Sequence, residues 1–290
     1  MSVPGRAAVW MTLTAVCLPL SAHAQDSGRL LGTSGVTQFE GAGGGGLVPW
    51  ALIAGYGTND AIGADAHYTV DALPDFTLQS AGASIGFYDR LELSYAHVWL
   101  GTGATGGKLG LGDGYQFQMD VVGAKARLLG DAVYDQDSWL PQIALGTQFK
   151  ASENAAVVHT IGAGSADGED FYLSATKLFL AQSLLLDATV RATKANQFGL
   201  LGFGGNRDNG YSAQFEGSAA LLVRRDLAFG AEVRTKPDNL TFAREGNAYD
   251  LFVTWFIGKA LSATLAFTAL GPVANQGNQN GIYFSLAGGF

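Results

Sequence analysis

Residues 281–290 read G-I-Y-F-S-L-A-G-G-F. Ile282, Phe284, Leu286 and the terminal Phe290 fall on one side of an extended chain, and Tyr283, Ser285, Ala287 and Gly289 on the other. A period of two with one apolar and one smaller, more polar face predicts a β-strand with oil against one side. The same alternation recurs upstream at 78–87, 91–100, 184–194, 227–236, 248–257 and 261–270. In 184–194, Leu184, Leu186, Ala188 and Val190 oppose Asp187, Thr189, Arg191 and Thr193.

Composition says where such strands belong. The chain is 48% hydrophobic with 41 glycines but only 14% charged, whereas a soluble domain has about a quarter of its residues charged. A helical span needs about 18 consecutive apolar residues, and the best run after the N-terminus, 178–190, is broken by Gln182, Ser183 and Asp187. Apolar content spread by alternation is the pattern of an antiparallel up-and-down transmembrane β-barrel. The ending on an aromatic residue, with Ile282, Phe284 and Leu286 behind it, resembles the closing strand of bacterial outer-membrane barrels. That resemblance makes Ile282, Phe284, Leu286 and Phe290 the expected assembly signal, read by the outer-membrane barrel assembly machinery.

Residues 1–24 form an expected signal peptide: Arg6, an apolar stretch 7–20, and Ala22-His23-Ala24 ahead of a cut before Gln25. Cys17 lies inside it, and the preceding Thr14-Ala15-Val16 is a poor lipid-attachment motif, so cleavage leaves a chain without cysteine. The net charge of −8, which becomes −9 without Arg6, argues against a nucleic-acid partner.

Short turns near Asp89, Gln182, Arg225 and Lys259 alternate with long loops at 101–114, 195–210 and 237–247. With Phe290 on the periplasmic side, all those short turns fall on that side, as outer-membrane barrels require. Thirteen strands count from residue 47, and the number must be even. Adding 35–40 gives about 14; setting 47–57 aside as a plug or lid gives 12. The expected domains are thus a signal peptide 1–24, a periplasmic segment 25–46 holding a short first strand, and a barrel 47–290. Trp50, Trp99, Trp139, Tyr211, Tyr249 and Trp255 sit near strand ends, where aromatic girdles belong. The apolar phase slips near Gly123, the mark of a bulge.

No motif assigns a catalytic, cofactor-binding or metal-ligating residue. Gly101 to Gly106 is a formal GxGxxG, yet the glycine loop continues where a dinucleotide site needs a helix. Asp131, Asp135 and Asp137, like Asp167, Glu169 and Asp170, lack the spacing of a calcium loop and read as solvated turns. Of His67, His97 and His159, His97 has opposite parity to Glu92 and Ser94 on its own strand, so the three cannot converge there. The informative set is the expected inward face of the later strands: Asp187, Arg191, Gln214, Glu216, Glu232, Arg234 and Asp250. An Arg or Lys facing lipid at the midplane costs about 2–4 kcal/mol, so these charges should line the lumen. A barrel of 12 to 14 strands is expected to leave a gap, since about 8 strands already give a side-chain-filled interior.

G-V-T-Q-F-E-G-A-G-G-G-G-L-V-P-W at 35–50, A-G-Y-G-T at 54–58 and the terminal Phe290 resemble a family of proteobacterial outer-membrane proteins known as a domain of unknown function. The resemblance implies one continuous barrel in the cell outer membrane of a Gram-negative bacterium, surrounded by outer-membrane lipid. The expected role is a passive or substrate-selective channel for small solutes. A closed structural or envelope-interaction barrel is the alternative, and a lipid-modifying enzyme the third reading.

Overall fold

The computed structural model describes residues 29–32 and 35–290, so the signal peptide, with Cys17 and the cut before Gln25, lies outside the described residues. Two short strands, β1 (Val36–Thr37) and β2 (Gly43–Gly44), pair only with each other. The following twelve are β3 (Ile62–Ala72), β4 (Thr77–Phe87), β5 (Leu91–Gly101), β6 (Gln116–Leu129), β7 (Gln142–Ser152), β8 (Asp167–Phe179), β9 (Leu184–Thr193), β10 (Ser212–Arg224), β11 (Leu227–Arg234), β12 (Ala248–Gly258), β13 (Leu261–Pro272) and β14 (Asn278–Gly289). Each pairs antiparallel with its sequence neighbours, and β14 pairs with β3 from Ile282↔Ala72 to Gly289↔Asp65, closing the ring. The Phe290 carbonyl accepts from the N–H groups of Ala64 and Tyr56, each at 3.0 Å, and the Phe290 N–H donates to the Ala64 carbonyl at 2.9 Å. Closure is obligatory in hydrocarbon, where each unpaired backbone group costs several kcal/mol.

The ring has twelve strands, the lower of the two expected numbers and not fourteen, because neither 35–40 nor 47–57 joins it. The barrel therefore begins at Ile62, not at residue 47. Leu93, Leu145, Phe171, Phe229, Leu251 and Phe267 stand exposed on the outer face, while Ser174, Thr254, Thr264 and Thr268 on three of the same strands are buried inside. The short turns 88–90, 180–183, 225–226 and 259–260 share the rim that carries Phe290. One longer connection, 130–141, interrupts that rim, and the loops 102–115, 153–166, 194–211 and 235–247 occupy the opposite one. Trp99, Trp139, Tyr211, Tyr249 and Trp255 lie on the outside near the rims, Trp139 being 86% exposed. Trp50 does not: it is buried in the lumen and donates Nε1–H to Ser218 Oγ at 2.9 Å.

The apolar slip in β6 is not a bulge at Gly123. The β5–β6 register runs unbroken through Ser94↔Gly123, and the register shift falls between Arg127 and Leu129 against β7. Phe117, Met119 and Val121 are apolar and face inward, joining Val98 and Leu100 in an oily patch beneath the long loops.

Glycines on the inner wall make room for rings. At Gly146 in β7, an added Cβ would collide with the ring of Tyr172 on the neighbouring strand; at Gly230 it would meet Phe252. Gly146→Val should therefore displace Tyr172 and lower barrel stability by about 1–3 kcal/mol, as overpacking does. Tyr172→Leu placed with it should recover part of that loss. The denaturant midpoints of the native protein and the two variants check both expectations.

Candidate functional site

The lumen is the only place where the polar chemistry expected from the sequence converges among the described residues, and it is full. From Gly35 the chain runs up inside the barrel, turns through 38–46 and descends through 47–57 to β3. The β1–β2 ladder, Val36↔Gly44 and Thr37↔Gly43, ties the two limbs together. Phe39, Gln38, Glu40, Val48 and Ala51 are all 0% exposed. The expected open gap is occupied because a twelve-stranded ring is too wide for its own side chains to fill.

Glycine lets this plug reach the wall. The Gly43 N–H donates to Glu92 Oε1 at 3.0 Å, and the Ala54 N–H to Glu92 Oε2 at 2.8 Å. Leu47 N–H donates to Glu232 Oε2 at 2.6 Å, and a Cβ at Gly45 would collide with that same carboxylate. Ala51 N–H donates to Thr176 Oγ1 at 2.7 Å, and its carbonyl accepts from Gln142 Nε2 at 2.7 Å. The Pro49 carbonyl accepts from both Ser174 and Thr189 at 3.0 Å. Lys125, paired with Glu92 at 2.9 Å, also donates to the carbonyls of Gly43 and Trp50. Near the Phe290 rim, Arg29 pairs with Asp89, which also holds Arg127, and Arg29 donates to the Ile53 carbonyl at 2.9 Å.

One charge cluster joins plug to wall. Glu40 of the plug pairs with Lys150 of β7, and its other oxygen with Arg234 Nη1 of β11 at 2.6 Å. Lys150 lies 2.7 Å from Asp170, Arg191 3.3 Å from Asp170, and Arg191 Nε 2.5 Å from Glu216, which also meets Arg234 Nε at 3.2 Å. Three cations thus face three carboxylates, one of which arrives on the plug. Burial pushes the Glu40 carboxyl up, but the charges of Arg234 and Lys150 outweigh it and hold the group well below its ordinary value of 4.5. The Arg234 guanidinium also lies 4.7 Å from the ring centre of Phe198, and Phe198 packs edge-on to Phe39 at 5.2 Å. Phe198 belongs to the loop 194–211, which folds into the mouth opposite the Phe290 rim. Gln197 beside it donates to Glu245 and to the Pro272 carbonyl at 2.7 Å, latching that loop to two others. What remains between Arg191, Arg234 and Phe198 is a cavity of about 10 Å³, room for a single water.

The structure places Asp187, Arg191, Glu216, Glu232, Arg234 and Asp250 buried on the inner wall, and Gln214 half-buried there, bonded to Thr235 and Ser212 near the long-loop rim. Arg191, Glu216 and Arg234 share the cluster; Glu232 and Asp250 face each other across β11 and β12. Asp187 stands apart, accepting from Thr176 and Thr189. Glu40, Lys125 and Lys150 belong to the site without having been picked out from the sequence, and Glu92 and Asp170, which the sequence offers in other roles, belong to it too. Asp170 is turned into the lumen, not into a solvated loop. Asp131 accepts from the N–H groups of Val133 and Tyr134 and pairs with Arg127. Ile282, Phe284, Leu286 and Phe290 are exposed at the seam. The three histidines are dispersed. His67 faces inward, 3.1 Å from Ser80 Oγ; His97 faces outward, 2.9 Å from Asp120; His159 lies on the short helix α1 (Ala155–Thr160).

The family described as "Protein of unknown function (DUF3034)" matches residues 33–287. The chain belongs to that family. No curated protein sequence is detectably similar to this DUF3034 protein. Among solved structures, it is similar to the KdgM porin with a TM-score of 0.51 at 10% identity, over 78% of this chain and 99% of that one. The NanC porin gives 0.51 at 9% identity, over 78% and 98%. A Pseudomonas putida F1 outer-membrane channel gives 0.44 at 10%, over 84% and 97%. At such identities the likeness to the two porins establishes the fold alone: this DUF3034 chain has a porin-like, closed antiparallel β-barrel fold.

Glu40→Gln should leave Lys150 to Asp170 and Arg234 to Glu216 in a cluster one carboxylate short, and breaking a buried pair costs about 3–5 kcal/mol. Amide exchange at residues 36–54 should then quicken by at least ~100-fold, while the barrel strands stay protected. Because the folded carboxyl titrates below its free value, the ion pairs contribute fully above pH 4.5 and are lost as pH falls below it. The difference in plug exchange between the native protein and Glu40→Gln should accordingly be the same at pH 7 and pH 5, and shrink only in stronger acid.

Proposed function

We propose that this protein is a gated outer-membrane channel for small solutes, closed at rest by residues 35–57, with the Phe290 rim facing the periplasm. The observation that carries this reading is how the plug is held. Its main-chain N–H and carbonyl groups bond to Glu92, Glu232, Thr176, Gln142, Ser174 and Thr189 of the wall. Water can replace every one of those bonds, and exchanging protein partners for water changes free energy by only about 0.5–1.5 kcal/mol per bond. The wall also keeps its own pairs, Lys150–Asp170 and Arg191–Glu216, when Glu40 departs. A polar, self-paired wall is suited to wetting once the plug leaves it.

Single-channel recording in planar bilayers tests this. The intact protein should show rare, brief openings, and a variant lacking residues 35–54 a steady conductance. Thr37 and Asp65 have hydrogen-bonded side chains, so Thr37→Cys with Asp65→Cys should give a plug that is silent until reduced. A plug-deleted barrel that keeps the gel mobility of a folded one yet passes no current would overturn the channel reading in favour of a closed structural barrel.

A further inference from the structure

The long loops opposite the Phe290 rim enclose a second cavity, separate from the lumen charges. It measures about 340 Å³ and is walled by Leu109, Leu111, Phe117, Ile161, Leu201 and Phe242, brought together from four different loops and the start of β6. Its size falls within the range of small-molecule sites, about 300–1,000 Å³. No ionisable side chain lines it. Its polar side chain, Thr160, already spends its hydroxyl on the Ala156 carbonyl at 2.8 Å. Leu109, Leu111, Ile161 and Phe242 are only half-buried, so the hollow holds apolar surface against water in loops that are otherwise polar and glycine-rich.

We infer that this hollow is a binding site for a small, uncharged, apolar molecule. A carboxylate or ammonium entering it would lose its hydration and find no partner. A protein segment would need an extended groove, whereas these walls rise from several sides around a volume suited to one or two rings. The site also adjoins the plug. Leu201 sits three residues beyond Phe198, whose ring packs on Phe39 and whose carbonyl accepts from Lys150. An occupant therefore rests on the loop that holds the plug's tip. The inference stands whether or not the lumen conducts.

The probe is 2-naphthol, with its saturable binding measured by equilibrium dialysis against the full chain in lipid nanodiscs and against empty nanodiscs. Ala156 is exposed and Ile161 half-buried at the pocket, so Ala156→Trp should fill the space and Ile161→Glu should charge its wall without disturbing the barrel. The native protein should bind above the empty discs, and each variant at least roughly tenfold more weakly. Binding no greater than that of empty discs, or equal binding by the native protein and both variants, overturns the site. Heat-dependent gel mobility confirms which variants are folded, and either one alone gives the answer.

Discussion

A sheet in hydrocarbon must leave no edge, and from that constraint the rest of this molecule follows. The pairing of β14 with β3 removes the last edge, and twelve strands fix the width of the ring. A ring of that width encloses more space than its side chains fill. The chain fills it with its own leading segment, and the segment's exposed main-chain groups then dictate a hydrophilic wall.

The wall and plug satisfy each other unequally. Most of the plug's bonds are main chain to neutral side chain or to a single carboxylate, and glycine at 43 and 45 allows the approach by offering no Cβ to obstruct Glu92 and Glu232. Glu40 is different, since it brings a full charge into a cluster that would otherwise carry one cation too many. Its place between Lys150 and Arg234 ties the two parts through charge as well as through hydrogen bonds. The mouth above is sealed by another kind of contact, rings and aliphatic chains from loops that meet over the plug's tip.

Much of the barrel was legible in the sequence because alternation is a local property. Strands such as β9 and β13 declare their inner and outer faces within ten residues, and turns of two or three residues declare which rim they occupy. The plug was legible only as one of two alternatives, for a physical reason: 47–57 alternates as a strand does, and only the crowding inside a closed ring decides between the two. Trp50 reads as a girdle residue until the ring is closed around it. Lys150 and Asp170 share the inward parity of Gln148 and Tyr172, yet their partnership spans separate strands and the plug, and no spacing along the chain encodes it. In β6, inward-facing Phe117, Met119 and Val121 broke the rule that the lumen side is polar, because the loops above make that corner an apolar core.

The carbonyl of the last residue, Phe290, accepts from the N–H of Tyr56 at the foot of the plug. One backbone oxygen thus belongs both to the seam that closes the ring, where Ala64 also reaches it, and to the foot of the plug. Fraying of the β14–β3 seam at that end unseats the foot of the plug along with it, because the two share a single acceptor.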